Sequence, residues 1–235
     1  MTRMLASVTS VTEANAVLKA GVDIIDLKDP RTGALGALPL AVVRDIVGTI
    51  DRQCLLSATI GDLPLAPRQI HNAATAMTAT GVDIVKVGLF AGAKQYDCIA
   101  ALAPLCAAGK RIVIVLFADQ QPDAALLPLI AASGCMGVML DTADKQAGRL
   151  TIHLSQDQLQ AFVQQAKALK LLTGLAGSLR ASDIAQLLPL GSDYLGFRGA
   201  LCAGARTQRL SLAAVRKIRS LIPQSANFME QRMLA

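Results

Sequence analysis

The sequence predicts an α/β protein that folds as a single-domain (β/α)8 barrel of the TIM type, and three observations support this. Short runs of Val, Ile and Leu alternate with longer amphipathic segments along the chain. A glycine recurs where a predicted helix passes into the next strand, at Gly21, Gly81, Gly134 and Gly191, and supplies the left-handed helix end. The length of 235 residues suits one barrel of strand–helix pairs.

Each apolar run fits a strand of a parallel sheet, which is covered on both faces and therefore rich in Val, Ile and Leu. In chain order the predicted strands are Met4–Val8, Val22–Leu27, Gln53–Thr59, Val82–Val87, Arg111–Phe117, Cys135–Leu140, Leu171–Ala176 and Ser192–Phe197. The predicted helices are Val11–Ala20, Pro39–Ile50, Pro67–Thr80, Lys94–Ala108, Asp123–Ala132, Ser155–Lys170, Arg180–Leu188 and Ser211–Leu221. An open doubly wound sheet is the rival fold, but no Gly-x-Gly-x-x-Gly follows the first strand.

The alternation continues without a compositional break almost to the end of the chain. We therefore assign residues 1–222 to the barrel and residues 223–235 to a C-terminal tail. The longest apolar stretch, Ala124–Leu140, is interrupted by proline and glycine, so it predicts a helix, a turn and a strand. We expect no membrane association.

The composition limits the function classes. Apolar residues make up 53% of the chain and aromatic residues only 3%. The net charge of +6 suits a nucleic acid or an anionic small substrate. Because the basic residues are scattered and aromatic stacking platforms are scarce, we expect a small anionic substrate and no nucleic-acid partner.

The cysteines and histidines predict neither a metal site nor a cofactor. The five cysteines form no Cys-x-x-Cys pair, and the two histidines lie far apart in the sequence. An odd number of cysteines without a disulfide framework favours reduced thiols in the cytoplasm. The apolar run at the N-terminus is too short for a secretory signal, which supports the same localisation.

Charged residues at the ends of even-numbered strands are the main candidates for chemistry. Asp26 and Lys28 are two residues apart and therefore share one face of the second strand. Lys86 ends the fourth strand, Asp141 ends the sixth, and Lys145 follows soon after. Two ammonium groups in one confined pocket lower each other's pKa, and a neutral amine can form a Schiff base with a carbonyl. The alternative is structural, with each lysine paired to a carboxylate.

The loops after strands seven and eight suggest a phosphate site. Gly177-Ser178 and Arg198-Gly199 stand there, and glycine lets backbone N–H groups approach an anion. The competing interpretation is a plain turn followed by a helix cap. Further candidates for substrate binding, each of which also fits a turn or cap, are Ser57, Thr59, Asp62 and Asp119.

These stretches together resemble a known family. They are Asp23–Pro30 with Gly33–Gly36, Ser57–Asp62, Asp83–Gly88, Leu140–Lys145, Leu175–Ser178 and Gly196–Ala200. In this combination they resemble the (5-formylfuran-3-yl)methyl phosphate synthases, over almost the whole predicted barrel. The resemblance implies a lyase that joins two molecules of glyceraldehyde 3-phosphate, with loss of phosphate and water. Its furan product would serve methanofuran or methylofuran biosynthesis.

By position, the resemblance makes Lys28 the Schiff-base lysine and Lys86 the proton acceptor. It places Asp26, Asp141 and Lys145 among the charged residues of the site. The implied partner is a small phosphorylated aldehyde, and we expect a homo-oligomer.

Other functions remain open at this point. The same residues fit another Schiff-base aldolase or a sugar-phosphate isomerase, because fold alone does not separate these activities. A non-catalytic barrel that binds a phosphorylated metabolite is the alternative from a different class. Nucleic-acid binding through the basic stretch Arg206–Arg219 is a weaker one.

Overall fold

The first and last strands of the sheet pair with each other, and this pairing closes a barrel. The computed structural model describes residues 1–223, in which eight parallel strands follow one another around the barrel in chain order. They are β1 (Arg3–Val8), β2 (Ile24–Leu27), β3 (Leu55–Thr59), β4 (Ile84–Leu89), β5 (Ile112–Phe117), β6 (Gly137–Asp141), β7 (Leu172–Leu175) and β8 (Tyr194–Phe197). The predicted single (β/α)8 barrel is confirmed.

Helices cover the outside of the barrel. They are α1 (Val11–Lys19), α2 (Leu40–Ile50), α3 (Pro67–Thr78), α4 (Gln95–Ala107), α5 (Leu126–Ala132), α6 (Leu150–His153), α7 (Gln156–Ala168), α8 (Ala181–Leu187) and α9 (Leu212–Ser220). The single turn α6 was not predicted, because four residues are too few to show a helical period. α5 begins three residues later than predicted, since Asp123 Oδ1 accepts the Ala125 N–H in a local turn.

Two apolar layers result from the alternation of faces along each strand. Ile25 and Leu27 of β2 belong to the large core between the strands and the helices. Ile24 belongs to a smaller cluster inside the barrel, together with Leu5 and Met139. Because Asp26 shares the face of Ile24, its carboxylate comes to lie inside the barrel above this apolar plug.

The predicted C-terminal tail, apart from Pro223, lies outside the described residues, so the division into barrel and tail stays a prediction. Within residues 1–223, none of the helices combines the length and apolar character that a membrane span requires.

Candidate active site

A pocket with a volume of about 380 Å³ opens at the carboxyl ends of the strands. Nine of the predicted site residues line it: Asp26, Lys28, Lys86, Asp141, Lys145, Gly177, Ser178, Arg198 and Gly199. Lys28 follows β2 and Lys86 lies on β4, so the two lysines come from separate strands and meet in one cavity.

The register of β1, β2 and β3 brings together the residues around Lys86, which form the first of two lysine clusters. Ser7 of β1, Asp26 of β2 and Ser57 of β3 stand opposite one another in the sheet. The Ser7 hydroxyl donates to Asp26 Oδ2 at 2.8 Å, and the Ser57 hydroxyl donates to Asp26 Oδ1 at 2.7 Å. Lys86 Nζ lies 2.7 Å from the same Oδ1. We call Lys86, Asp26, Ser7 and Ser57 the tight cluster.

The Asp26 carboxylate is held in its charged form by this cluster. Burial alone raises the pKa of Asp26, but the charges of Lys86 and Lys28 outweigh it, so the pKa lies below its ordinary value. The Lys86 side chain is only 2% exposed, which leaves Asp26 as its counter-charge in place of solvent. The position of Lys86 Nζ is therefore fixed.

The second cluster surrounds Lys28 and is looser. Lys28 Nζ lies 3.7 Å from Asp141 Oδ2, which is longer than a hydrogen bond. Asp141 Oδ1 instead accepts from Lys145 Nζ and, at 2.8 Å, from the backbone N–H of Thr142. Within residues 1–223, Lys28 Nζ thus has a charged neighbour but no hydrogen-bond acceptor. We call Lys28, Asp141 and Lys145 the loose cluster.

The pKa of Lys28 is lowered to about 8, chiefly by burial. The positive charges of Lys145 and Lys86 also lower this pKa, whereas the carboxylates of Asp141 and Asp26 raise it. About a tenth of the Lys28 amine is then neutral at pH 7, against fewer than about one in a thousand for an exposed lysine. For Asp141, burial raises the pKa, but the charges of Lys145 and Lys28 bring it to about 2. The result is an amine that is partly neutral near pH 7, beside a carboxylate that stays charged.

A backbone cradle lies at the ends of β7 and β8. Its residues are Gly177, Ser178, Leu179, Gly199 and Ala200, all of which line the pocket. Their N–H groups have no acceptor in the described part of the chain, and an anion would supply one.

The cradle also carries backbone strain. Gly177 has a φ of 108° and Ser178 a φ of 51°, the left-handed region that a serine rarely adopts. A Cβ on Gly177 would lie 2.9 Å from Thr142 Cγ2, so the close approach requires glycine. Strain of this kind persists where the surrounding structure enforces it, often at ligand sites.

Arg198 lines the pocket, but its guanidinium is committed elsewhere. Arg198 Nη1 lies 2.6 Å from Glu13 Oε2, and Nη2 donates to Gln208 O at 2.9 Å. Nε donates to Arg206 O at 2.9 Å. The side chain thus joins the loop after β8 to α1, and its predicted phosphate contact stays a prediction.

Four other predicted residues lie behind the pocket wall. Ser57 donates to Asp26, and the Thr59 hydroxyl donates to a backbone carbonyl of the loop after β2. Asp62 accepts two backbone N–H groups of that loop, and Asp119 accepts two of the loop after β6. Their contact with substrate stays a prediction. Their visible role is to hold the loops that form the walls.

The pocket also contains residues that the sequence analysis did not select. Ser7 could have been found from its position on β1, opposite Asp26. Arg180 and Arg206 lie in loops, where no period fixes the direction of a side chain. Of the basic stretch considered for nucleic acid, Arg206 lines the pocket, whereas Arg219 is buried against Asp23. The two ends of that stretch do not share one surface.

Known proteins of one family are similar to this chain along most of its length. A sequence model of the family described as 4-HFC-P synthase matches residues 4–219. A Methylorubrum extorquens protein, provisionally named (5-formylfuran-3-yl)methyl phosphate synthase, is 43% identical over 215 residues, which are 91% of this chain and 88% of that protein. A Methanococcus aeolicus protein of the same name, without the provisional label, is 34% identical over 211 residues, 85% of this chain and 90% of that protein.

Among solved structures, a 3-hexulose-6-phosphate synthase superposes with a TM-score of 0.69 at 20% identity. The match covers 94% of this chain and 100% of the other. At this identity the likeness shows the shared barrel fold.

Proposed function

The chain belongs to the (5-formylfuran-3-yl)methyl phosphate synthase family, and we propose that it condenses two molecules of glyceraldehyde 3-phosphate. Formation of one (5-formylfuran-3-yl)methyl phosphate from two trioses releases one phosphate and two waters, so the atoms balance. The proposed biological role is synthesis of the furan unit of a one-carbon carrier, methanofuran or methylofuran. The observation that carries the proposal is the buried Lys28 amine, which has no hydrogen-bond acceptor among residues 1–223 and shares its pocket with the fixed Lys86.

Lys28 begins the proposed reaction. Its neutral Nζ attacks the aldehyde carbon of one triose phosphate, and loss of water leaves an iminium. The lowered pKa of Lys28 supports this step because it supplies the free amine near neutral pH. Asp141 stands 3.7 Å away and stabilises the positive charge that the iminium carries.

Lys86 carries the proposed proton transfers. A proton leaves the carbon next to the iminium, and the electron pair forms an enamine. Return of that pair expels phosphate from the third carbon. The Lys86 ammonium gives its proton to the hydroxyl that leaves as water when the iminium forms, and the neutral amine then takes the proton from the neighbouring carbon. Asp26 keeps Lys86 Nζ in place. A new carbon–carbon bond to the second triose phosphate and ring closure with loss of two waters then give the furan. Hydrolysis of the imine uses the water released when the iminium formed and frees the product from Lys28.

The backbone cradle supplies the proposed phosphate site. The N–H groups of Gly177, Ser178 and Gly199, which have no acceptor among residues 1–223, suit the oxygens of a phosphate ester, as is common after strands seven and eight of such barrels. An anion held there leaves the aldehyde end of the triose to enter the pocket toward the lysines.

The test is incubation of the purified chain with glyceraldehyde 3-phosphate, followed by furan absorbance and released phosphate. We expect one furan and one phosphate for every two trioses consumed. An isomerase would yield a ketose phosphate without releasing phosphate, and a simple aldolase would yield a larger sugar bisphosphate. A barrel that only binds would leave the substrate unchanged. Any of these three results would overturn the proposal.

A further inference from the structure

The pocket is lined by more positive groups than its carboxylates balance. The cationic residues are Lys28, Lys86, Lys145, Arg180, Arg198 and Arg206, and the anionic ones are Asp26 and Asp141. Arg198 has its own partner in Glu13 outside the lining, and the three lysines share the two aspartates. In the described part of the chain, neither Arg180 nor Arg206 has a carboxylate oxygen within 4.0 Å.

Arg206 is held in place at both its backbone and its side chain. Its carbonyl accepts from Arg198 Nε at 2.9 Å, which fixes the backbone of the loop after β8. Its Nη2 donates to Gly33 O at 3.1 Å, in the loop that follows β2 and Lys28. Its Nε and Nη1 have no acceptor among residues 1–223. The guanidinium is therefore pre-positioned with donors to spare.

The Arg206 guanidinium and the backbone cradle lie toward different sectors of the barrel, although Arg206 Cβ lies close to Gly199 of the cradle. The cradle follows β7 and β8, whereas the Arg206 guanidinium reaches the loop after β2. In barrel order β1 separates β8 from β2. One pocket thus has two groups of unsatisfied donors, one of backbone N–H and one of guanidinium.

We propose that Arg206 binds the phosphate of the second triose phosphate, while the backbone cradle binds the first. The identity of the ligand rests on the proposed function, but the presence of a second anion subsite rests on the geometry. Each phosphate monoester carries about −1.5 to −2 charges near pH 7. A guanidinium without an ionic partner gives such a group strong charge-assisted hydrogen bonds. Arg206 is thus a residue that selects a phosphorylated second substrate.

The first measurement is calorimetric titration of the full chain with inorganic phosphate. We expect two phosphates per chain for the unchanged protein and one for Arg206→Met. The matched control is Arg209→Met, which removes an exposed arginine of the same loop that does not line the pocket. That control is expected to bind two phosphates.

The second measurement is steady-state kinetics with glyceraldehyde 3-phosphate. Loss of a charge-assisted hydrogen bond raises KM by about 10- to 100-fold in Arg206→Met, with a smaller fall in kcat. Arg206→Lys keeps the charge but loses the planar donor geometry. We therefore expect its KM to lie between that of the unchanged protein and that of Arg206→Met. Thermal unfolding of each variant shows whether it is folded, and Arg206→Lys carries the test if Arg206→Met is not.

The inference is overturned if the Arg206 variants bind as many phosphates, with the same KM, as Arg209→Met. The proposed function fails separately, if the unchanged protein makes no furan from glyceraldehyde 3-phosphate. The phosphate count is measured without turnover, so it decides the role of Arg206 in either case.

Discussion

The two buried lysines of the pocket are held in different ways. In the tight cluster, Lys86 Nζ lies 2.7 Å from a carboxylate that also accepts two serine hydroxyls. In the loose cluster, Lys28 Nζ lies 3.7 Å from the nearest carboxylate. Their side chains are almost equally buried, at 2% and 7% exposure. Burial alone therefore does not distinguish the two lysines. The difference is that Lys86 Nζ has a hydrogen-bond acceptor, whereas Lys28 Nζ has none among residues 1–223.

Replacement of Lys28 is the change with the largest expected effect. Lys28→Arg keeps a positive charge beside Asp141, but a guanidinium stays protonated and forms no imine. We expect furan formation to fall by at least about 10⁴-fold, as when a covalent nucleophile is lost. Product absorbance measures the rate, and Lys110→Arg on the surface is the control. Activity in Lys28→Arg close to that of the control would contradict a covalent role for Lys28.

Lys86→Met tests the tight cluster. We expect furan formation to fall by about 10²- to 10⁴-fold, because proton transfer is lost. The free energy of unfolding falls by about 3–5 kcal/mol, since Asp26 stays buried without its closest counter-charge. Denaturant titration and product absorbance measure the two effects.

A second substitution separates these effects. Asp26→Asn in the Lys86→Met background removes the uncompensated charge, so it restores much of the stability and none of the turnover. Recovery of both together would mean that Lys86 supports the fold and takes no part in the chemistry.

The pH dependence of kcat/KM tests the loose cluster. Protonated Lys28 does not attack a carbonyl, so we expect kcat/KM to rise with pH and to level off above about 8. Asp141→Asn removes a charge that raises the pKa of Lys28, so the inflection moves down by about 1 pH unit. Lys145→Met removes a charge that lowers this pKa, so the inflection moves up. Shifts in the same direction for both variants would contradict the assignment of the inflection to Lys28.

Ser57→Ala is the mildest of these changes. It removes one donor to Asp26, and we expect the free energy of unfolding to fall by about 1–2 kcal/mol. The inflection in kcat/KM stays where it is, because the loose cluster is untouched. Denaturant unfolding against the exposed-site control Ser220→Ala measures the loss, and equal values for the two would show that the Ser57 hydroxyl contributes nothing.

The sequence was sufficient to predict the barrel and the meeting of Lys28 with Lys86. Strand alternation fixes the face of Asp26, and parallel strands present their carboxyl ends at one mouth. These two regularities depend on local pattern alone. They bring Asp26, Lys28, Lys86 and Asp141 to the pocket without any knowledge of side-chain contacts.

The sequence did not predict which side chains pair with each other across the fold. Arg198 pairs with Glu13 across 185 positions, and nothing in either segment indicates that contact. Asp62 and Asp119 hold loops whose paths depend on the whole barrel. Arg206 lies in the loop after β8, and its side chain lines the pocket and donates to Gly33 O. Long-range contacts and loop conformations have no period from which they can be inferred.

The central claim is that Lys28 forms the covalent bond while Lys86 moves protons. Borohydride reduction in the presence of glyceraldehyde 3-phosphate, followed by mass spectrometry of peptides, tests it directly. We predict a reduced triose adduct on Lys28 and none on Lys86. Furan formation with Lys28 unmodified, or an adduct on Lys86 instead, would contradict the claim.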